Sequence, residues 1–69
     1  MTLTPPQYAK HVVNEYKEWF DLSDVEAREA ALLEMDFLIK DYSDNSVVVC
    51  YFKQVKRELE KQLNNMNNN

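Results

Sequence analysis

The chain has no glycine in 69 residues and only one cysteine, one histidine and one tryptophan. Without glycine there is no Gly-rich phosphate loop, because such loops need backbone with no side chain in the way. The easiest two-residue hairpin turns are excluded for the same reason. The connections must therefore be built from Asp, Asn and Ser, and the rest of the chain is expected to be mostly helix. The lone thiol, Cys50, rules out an internal disulfide and fits a reducing compartment. The N-terminus has no basic segment leading into an apolar run, so a secretory signal peptide is not expected. No apolar stretch approaches the roughly 20 residues that span a bilayer. Positive charge is also scarce: the formal net charge is −4 and the sequence pI is about 4.8. General nucleic-acid binders and anionic-membrane binders need a basic surface, so neither partner is expected.

The length allows a single domain, and one this small is only marginally stable alone unless its helices are well formed or it pairs with a copy or a partner. Hydrophobic residues make up 45% and charged residues 29%, an ordinary globular balance. Aromatic residues are generous at 12%, enough to fill a small core or to anchor an interface. Charge is unevenly spread. Residues 1–44 hold ten acids and four bases, whereas residues 45–69 hold two acids and four bases. Such an asymmetry can orient two copies head to tail or steer a partner, or it can simply solvate helix faces.

Three helical segments follow from the pattern. Thr4, Pro5 and Gln7 form a Thr-x-x-Gln capping box with proline in the first turn, and Leu3 and Tyr8 hold the two positions of a hydrophobic staple. Ala9, Val12, Val13, Tyr16, Trp19 and Phe20 continue with helical spacing, so the first helix is expected over 5–20. Ser23 and Glu26 form a second capping box, and Asp24 suits the positive helix end. The second helix, 24–42, is apolar over most of its circumference. Ala27, Ala31, Met35, Leu38 and Tyr42 make one stripe, flanked by Ala30, Leu33 and Phe37 and widened by Leu32 and Ile39. A helix of this kind is either central in its domain or has a face left for a partner.

Ser43-Asp44-Asn45-Ser46 supplies turn and cap chemistry. Val47 to Phe52 alone would read as a strand. The longer window decides for helix, because Val48, Tyr51, Phe52, Val55, Leu59, Leu63 and Met66 share one face and Lys53, Arg57, Glu60 and Lys61 lie opposite. The third helix is expected over 46–64. The fold class is thus all-α: a three-helix antiparallel bundle (5–20, 24–42, 46–64) or a helical hairpin whose third helix completes a dimer. Residues 1–63 form one domain, and 64–69 are read as a polar Asn-rich tail that frays or is disordered.

Few residues are placed to do chemistry. His11 and Glu15 lie four apart on one helix face, a spacing that can hold a metal. A zinc site needs three or four protein ligands, so the pair reads more simply as a surface histidine beside a glutamate. Cys50 lies off the main stripe of the third helix and reads as a small, semi-buried residue without a neighbouring base. Glu34 and Asp41 sit between apolar stripes of the second helix, where a carboxylate can gain a raised pKa or pair with a lysine or arginine. No catalytic, metal-binding or cofactor-binding residue is assigned, no cofactor is implied, and an enzyme is not expected. Lys53, Lys56, Arg57 and Lys61 form the one basic patch and are candidate phosphate contacts, although Glu58 and Glu60 interleave them. Tyr16, Trp19, Phe20 and Phe37 are candidate interface anchors, because a three-helix core this small does not obviously cover them all.

Three stretches carry a resemblance: Thr4-Pro5-x-x-x-Ala9-Lys10; Glu26-Ala27-x-x-x-Ala31-x-x-x-x-Asp36-x-x-Ile39; and Tyr51-Phe52-x-x-Val55-x-x-Glu58-Leu59-Glu60. Together they resemble short helical proteins encoded by phages and mobile elements of gut Bacteroidetes-type bacteria. The resemblance spans Thr4 to Lys61. The chain departs from that pattern at Phe52, where tryptophan is common, and at Glu34, where the helix is more often apolar. What the resemblance implies is a context, a bacterial host cytoplasm or a virion, and no catalytic residue. The expectation is therefore a small non-enzymatic phage-encoded module that binds a host or viral protein, or itself as a homo-oligomer. The alternatives are an auxiliary capsid or other virion component, and a nucleotide or nucleic-acid binder that uses the basic face of the third helix.

Overall fold

The computed structural model describes residues 3–67 as three helices: α1 (Pro5–Phe20), α2 (Asp24–Asp41) and α3 (Ser46–Asn67). No strand occurs among the described residues. Each helix start is fixed by a side chain that the local sequence supplies. The Thr4 hydroxyl accepts from the Gln7 amide while the Thr4 amide donates to Gln7 Oε1. Ser23 and Glu26 repeat that reciprocal pair at the start of α2. Asn45 caps α3, its Oδ1 accepting from the Val48 amide at 3.2 Å. These bonds satisfy amides that a helix start otherwise leaves orphaned.

The two connections are tight. α1 ends at Asp21, which adopts φ 53° and ψ 42°, a left-handed cap built without glycine. α2 ends at Tyr42, whose amide bonds back to the Leu38 carbonyl at 3.0 Å. Links this short return each helix along the previous one, and all three helices touch one another in an up-down-up bundle.

The core is small. Ala9, Val12 and Val13 of α1, Ala27, Ala31 and Met35 of α2, and Val55 and Leu59 of α3 are the buried apolar residues. Ala9, Ala27 and Ala31 are fully buried and let the helix backbones approach closely around Met35. The expected stripes face inward through these residues, but Trp19 and Phe20 at the end of the α1 stripe and Tyr42 at the end of the α2 stripe are exposed. The run Val47–Phe52 is helical, since its apolar positions continue the face of Val55 and Leu59.

The end of α3 corrects the sequence reading. The helix runs to Asn67 rather than to about 64, so the first part of the Asn-rich tail is helical. Leu63 and Met66 are half-buried and carry the apolar row past the expected stop. Residues 68 and 69 of that tail lie outside the described residues.

Rings close one end of the bundle. Tyr8 meets Tyr51 edge-on at 5.8 Å and Phe52 at 6.0 Å, and Tyr42 meets Phe52 at 6.1 Å. The Tyr51 hydroxyl donates to the Leu3 carbonyl at 2.6 Å, which ties the N-terminal entry to α3. At the other end Arg28 Nε donates to Gln62 Oε1 at 2.9 Å. There Lys17 pairs with Asp24 and holds its carboxyl below the usual carboxylate range.

Candidate interaction face on α1 and α2

With its core filled, the bundle leaves several large apolar side chains in solvent. Trp19 is 76% exposed, Phe37 67%, Phe20 65% and Leu33 62%. These four lie on α1 and α2, and Val47 of α3 is exposed as well, at 78%. α2 buries Ala27, Ala31 and Met35, yet its circumference is too apolar for two neighbours to cover. α2 touches both other helices, as each helix of the bundle does, and also leaves Leu33 and Phe37 in solvent.

Between α1 and α2 runs a groove of about 580 Å³. Its α1 wall carries Tyr8, His11, Glu15 and Trp19, which recur at helical spacing on one side of the helix. Val12, Tyr16 and Phe20 line its inner side, and Glu34 enters from α2. The Tyr16 hydroxyl donates to Glu34 Oε1 at 3.0 Å across the groove. Tyr16 and Phe20 also meet ring to ring at 5.6 Å with a 30° tilt. By helical spacing, Ala30, Glu34, Phe37 and Asp41 form one row on α2, alternately apolar and acidic.

The groove raises the proton affinity of two phenols. Tyr16 is pushed up first by burial, then by its hydrogen bond to Glu34 and by that carboxylate's charge. Tyr8 is pushed up first by burial, then by the charge of Glu34. No lysine or arginine lines the groove. His11 is the nearest nitrogen base there, and it pairs with Glu15 four residues along.

The four candidate anchors thus fall into two kinds. Trp19, Phe20 and Phe37 stand in solvent, whereas Tyr16 is half-buried and bound to Glu34. Leu33 has the same exposure as the anchors but was not singled out, because leucine at that spacing reads as core. Glu34 departs from its expected pairing with a lysine or arginine, since a tyrosine hydroxyl reaches it instead.

The basic patch does not converge. Lys56 turns to α2 and pairs with Asp36 at 2.8 Å, which raises its pKa through that hydrogen bond and then through the charge of Asp36. Lys53 lies with Arg57 beside Ser43 and Cys50, while Lys61 lies with Arg57 and Glu60 nearer the C-terminal end. Cys50 is exposed rather than semi-buried, and its sulfur accepts from Gln54 at 3.5 Å. Its place off the apolar stripe leaves it on the solvent side of α3. No group of three or more His, Cys, Asp or Glu side chains suited to a metal occurs among the described residues. No described helix is long and apolar enough to cross a membrane.

Comparison of the chain with protein-family models, with curated proteins and with solved structures gives no match in any of the three.

Proposed function

We propose that this chain is a non-enzymatic protein-interaction module whose working surface is the α1–α2 face. The observation that carries this reading is the grouping of Trp19, Phe20, Leu33 and Phe37 in solvent on two adjacent helices. Single exposed apolar residues are ordinary, but large ones gathered on one side of a small domain mark a surface that is covered in use. Tryptophan is among the residues that most often dominate binding energy when an interface closes over them. The resemblance over Thr4 to Lys61 supports a host or viral protein as the partner, in a bacterial cell that carries a phage or mobile element. The phosphate-binding alternative is less favoured, because Lys56 is engaged by Asp36 and Glu60 stands among the remaining cations.

The test is a tagged pull-down from such cells with quantified stoichiometry, run beside the Trp19→Ala and Phe37→Ala variants. Recovery of one protein near one to one, lost in both variants while their circular dichroism is unchanged, is the expected result. A partner retained at full stoichiometry by both variants would remove the α1–α2 face from the reading. Recovery of the bait alone would count against the reading as a whole.

A further inference from the structure

Resting on the interaction reading above, we infer that the α1–α2 groove seats an amphipathic helix of a partner protein that carries a lysine or arginine among its apolar residues. The argument is charge complementarity in an apolar frame. The α1 wall offers exposed rings, Trp19 and Phe20, and Phe37 stands in solvent on α2 one helical turn from the groove residue Glu34. The groove carries two carboxylates, Glu15 and Glu34, and neither lysine nor arginine lines it. Glu18 on α1 and Asp41 on α2 are exposed acids flanking these rows by helical spacing. Of the bases on these helices, His11 lines the groove and pairs with Glu15, Lys10, Lys17 and Arg28 lie together around Asp24 in a separate cleft, and Lys40 lies one turn beyond Phe37. A cation entering beside Glu34 and the His11–Glu15 pair gains carboxylate acceptors and the faces of the neighbouring rings. An anionic helix of the same shape meets like charge. Helix-in-groove recognition uses apolar anchors at i, i+3/i+4 and i+7, a repeat that the α1 row of Tyr8, Val12, Tyr16 and Trp19 can receive.

The same charges disfavour a second copy of this chain. A two-fold contact through this face brings two sets of Glu15, Glu18, Glu34 and Asp41 into one interface, with Lys40 the lysine nearest Phe37 on α2. The cations Lys53, Arg57 and Lys61 lie on α3, where Glu58 and Glu60 interleave them. A contact between that part of α3 and the groove would be head-to-tail and would not close into a dimer.

Trp19 is the only tryptophan, so its emission reports on the groove directly. The probes are two synthetic 18-residue peptides with the same leucine stripe and a polar face of either lysine or glutamate. The expected result is a saturable blue shift of Trp19 with the lysine peptide, at an affinity about tenfold or more above that of the glutamate peptide. Raising salt from about 50 mM to about 300 mM should weaken it several-fold. The Glu15→Gln/Glu34→Gln variant should weaken it about fivefold or more. Glutamine at 34 keeps an acceptor for the Tyr16 hydroxyl, and circular dichroism checks the fold. Equal binding of both peptides, unmoved by the double variant, would overturn the inference and leave an interaction face that selects by shape alone. No shift with either peptide would also overturn it, while the pull-down judges the interaction reading separately. So would a free chain that sediments as a dimer with Trp19 already blue-shifted, and as a monomer after Trp19→Ala, because the occupant would then be a second copy.

Discussion

Tyr16 on α1 and Glu34 on α2 are joined by a 3.0 Å hydrogen bond from the phenol to the carboxylate, at a place where most neighbouring groups are apolar. The bond fixes the two walls of the groove relative to each other. It also uses one lone pair of Glu34 and leaves the rest of the carboxylate facing the groove. Its contribution is measurable because the charged acceptor strengthens it and partial burial shields it from water.

Tyr16→Phe is expected to destabilise the protein by about 1 kcal/mol in urea denaturation, since the ring stays and only the hydroxyl is lost. Glu34→Gln should cost less than Tyr16→Phe, because an acceptor remains. A Tyr16→Phe midpoint equal to that of the wild type would mean that the bond is exchanged for water at no cost.

Stability is expected to fall on the alkaline side, above pH 10. Tyr8 and Tyr16 have folded-state pKa values above their ordinary 10.0, chiefly because burial disfavours the phenolate and then because Glu34 is close. For a group raised on folding, the stabilisation is fully present below the unfolded pKa and is lost as pH rises through the folded one. Lys56, raised by its hydrogen bond to Asp36 and then by that carboxylate's charge, acts in the same direction. It is an exposed surface pair, so its share is small. Melting temperatures followed from pH 9 to pH 12 should drop less steeply for Tyr8→Phe/Tyr16→Phe than for the wild type. Parallel curves would show that the phenols ionise freely in the folded state.

Core and face are expected to separate cleanly by mutation. Met35 is fully buried between helices, and Met35→Ala should cost about 2–5 kcal/mol, a large part of the stability of so small a domain. Trp19→Ala removes a larger side chain but an exposed one, and should change stability by about 0.5 kcal/mol or less. Urea midpoints of the two variants check this. A Trp19→Ala loss comparable to that of Met35→Ala would place the indole in the core and take away the main anchor of the proposed face.

Much of the fold was legible because local and global signals agree. The Thr4–Gln7 and Ser23–Glu26 pairs mark two helix starts in sequence and make the same bonds in the structure. The stripe Ala27, Ala31 and Met35 faces inward as its spacing requires. Helix 3 ran past its expected end because asparagine reads as a helix stop, while half-buried Leu63 and Met66 extend the packed row. The face was legible only in part. Ring spacing on α1 shows that Tyr16, Trp19 and Phe20 are near one another, but not which of them the core takes. The Tyr16–Glu34 bond joins residues 18 positions apart on two helices, so it depends on a packing geometry that periodicity does not specify. Leu33 reads only as one flank of the α2 stripe, because α2 is apolar on nearly every side.

The turn between α1 and α2 carries a cost that a single substitution should relieve. Asp21 sits at φ 53° and ψ 42°, where a Cβ crowds the following carbonyl. Aspartate tolerates this region better than most residues, and glycine enters it with no steric penalty. Asp21→Gly should therefore stabilise the protein, offset in part by the greater freedom of glycine in the unfolded chain, for a net gain of about 0.5 kcal/mol. Asp21→Val should do the opposite, costing roughly 1–2 kcal/mol, because a β-branched side chain fits this conformation poorly. Neither substitution touches the core, so thermal melts of the two variants read the turn alone. Gly and Val variants that melt together would show that residue 21 relaxes out of the left-handed conformation, with the end of α1 unwinding to let it. Trp19 and Phe20 occupy that last turn, so a relaxed Asp21 would also leave the aromatic side of the groove without a fixed position.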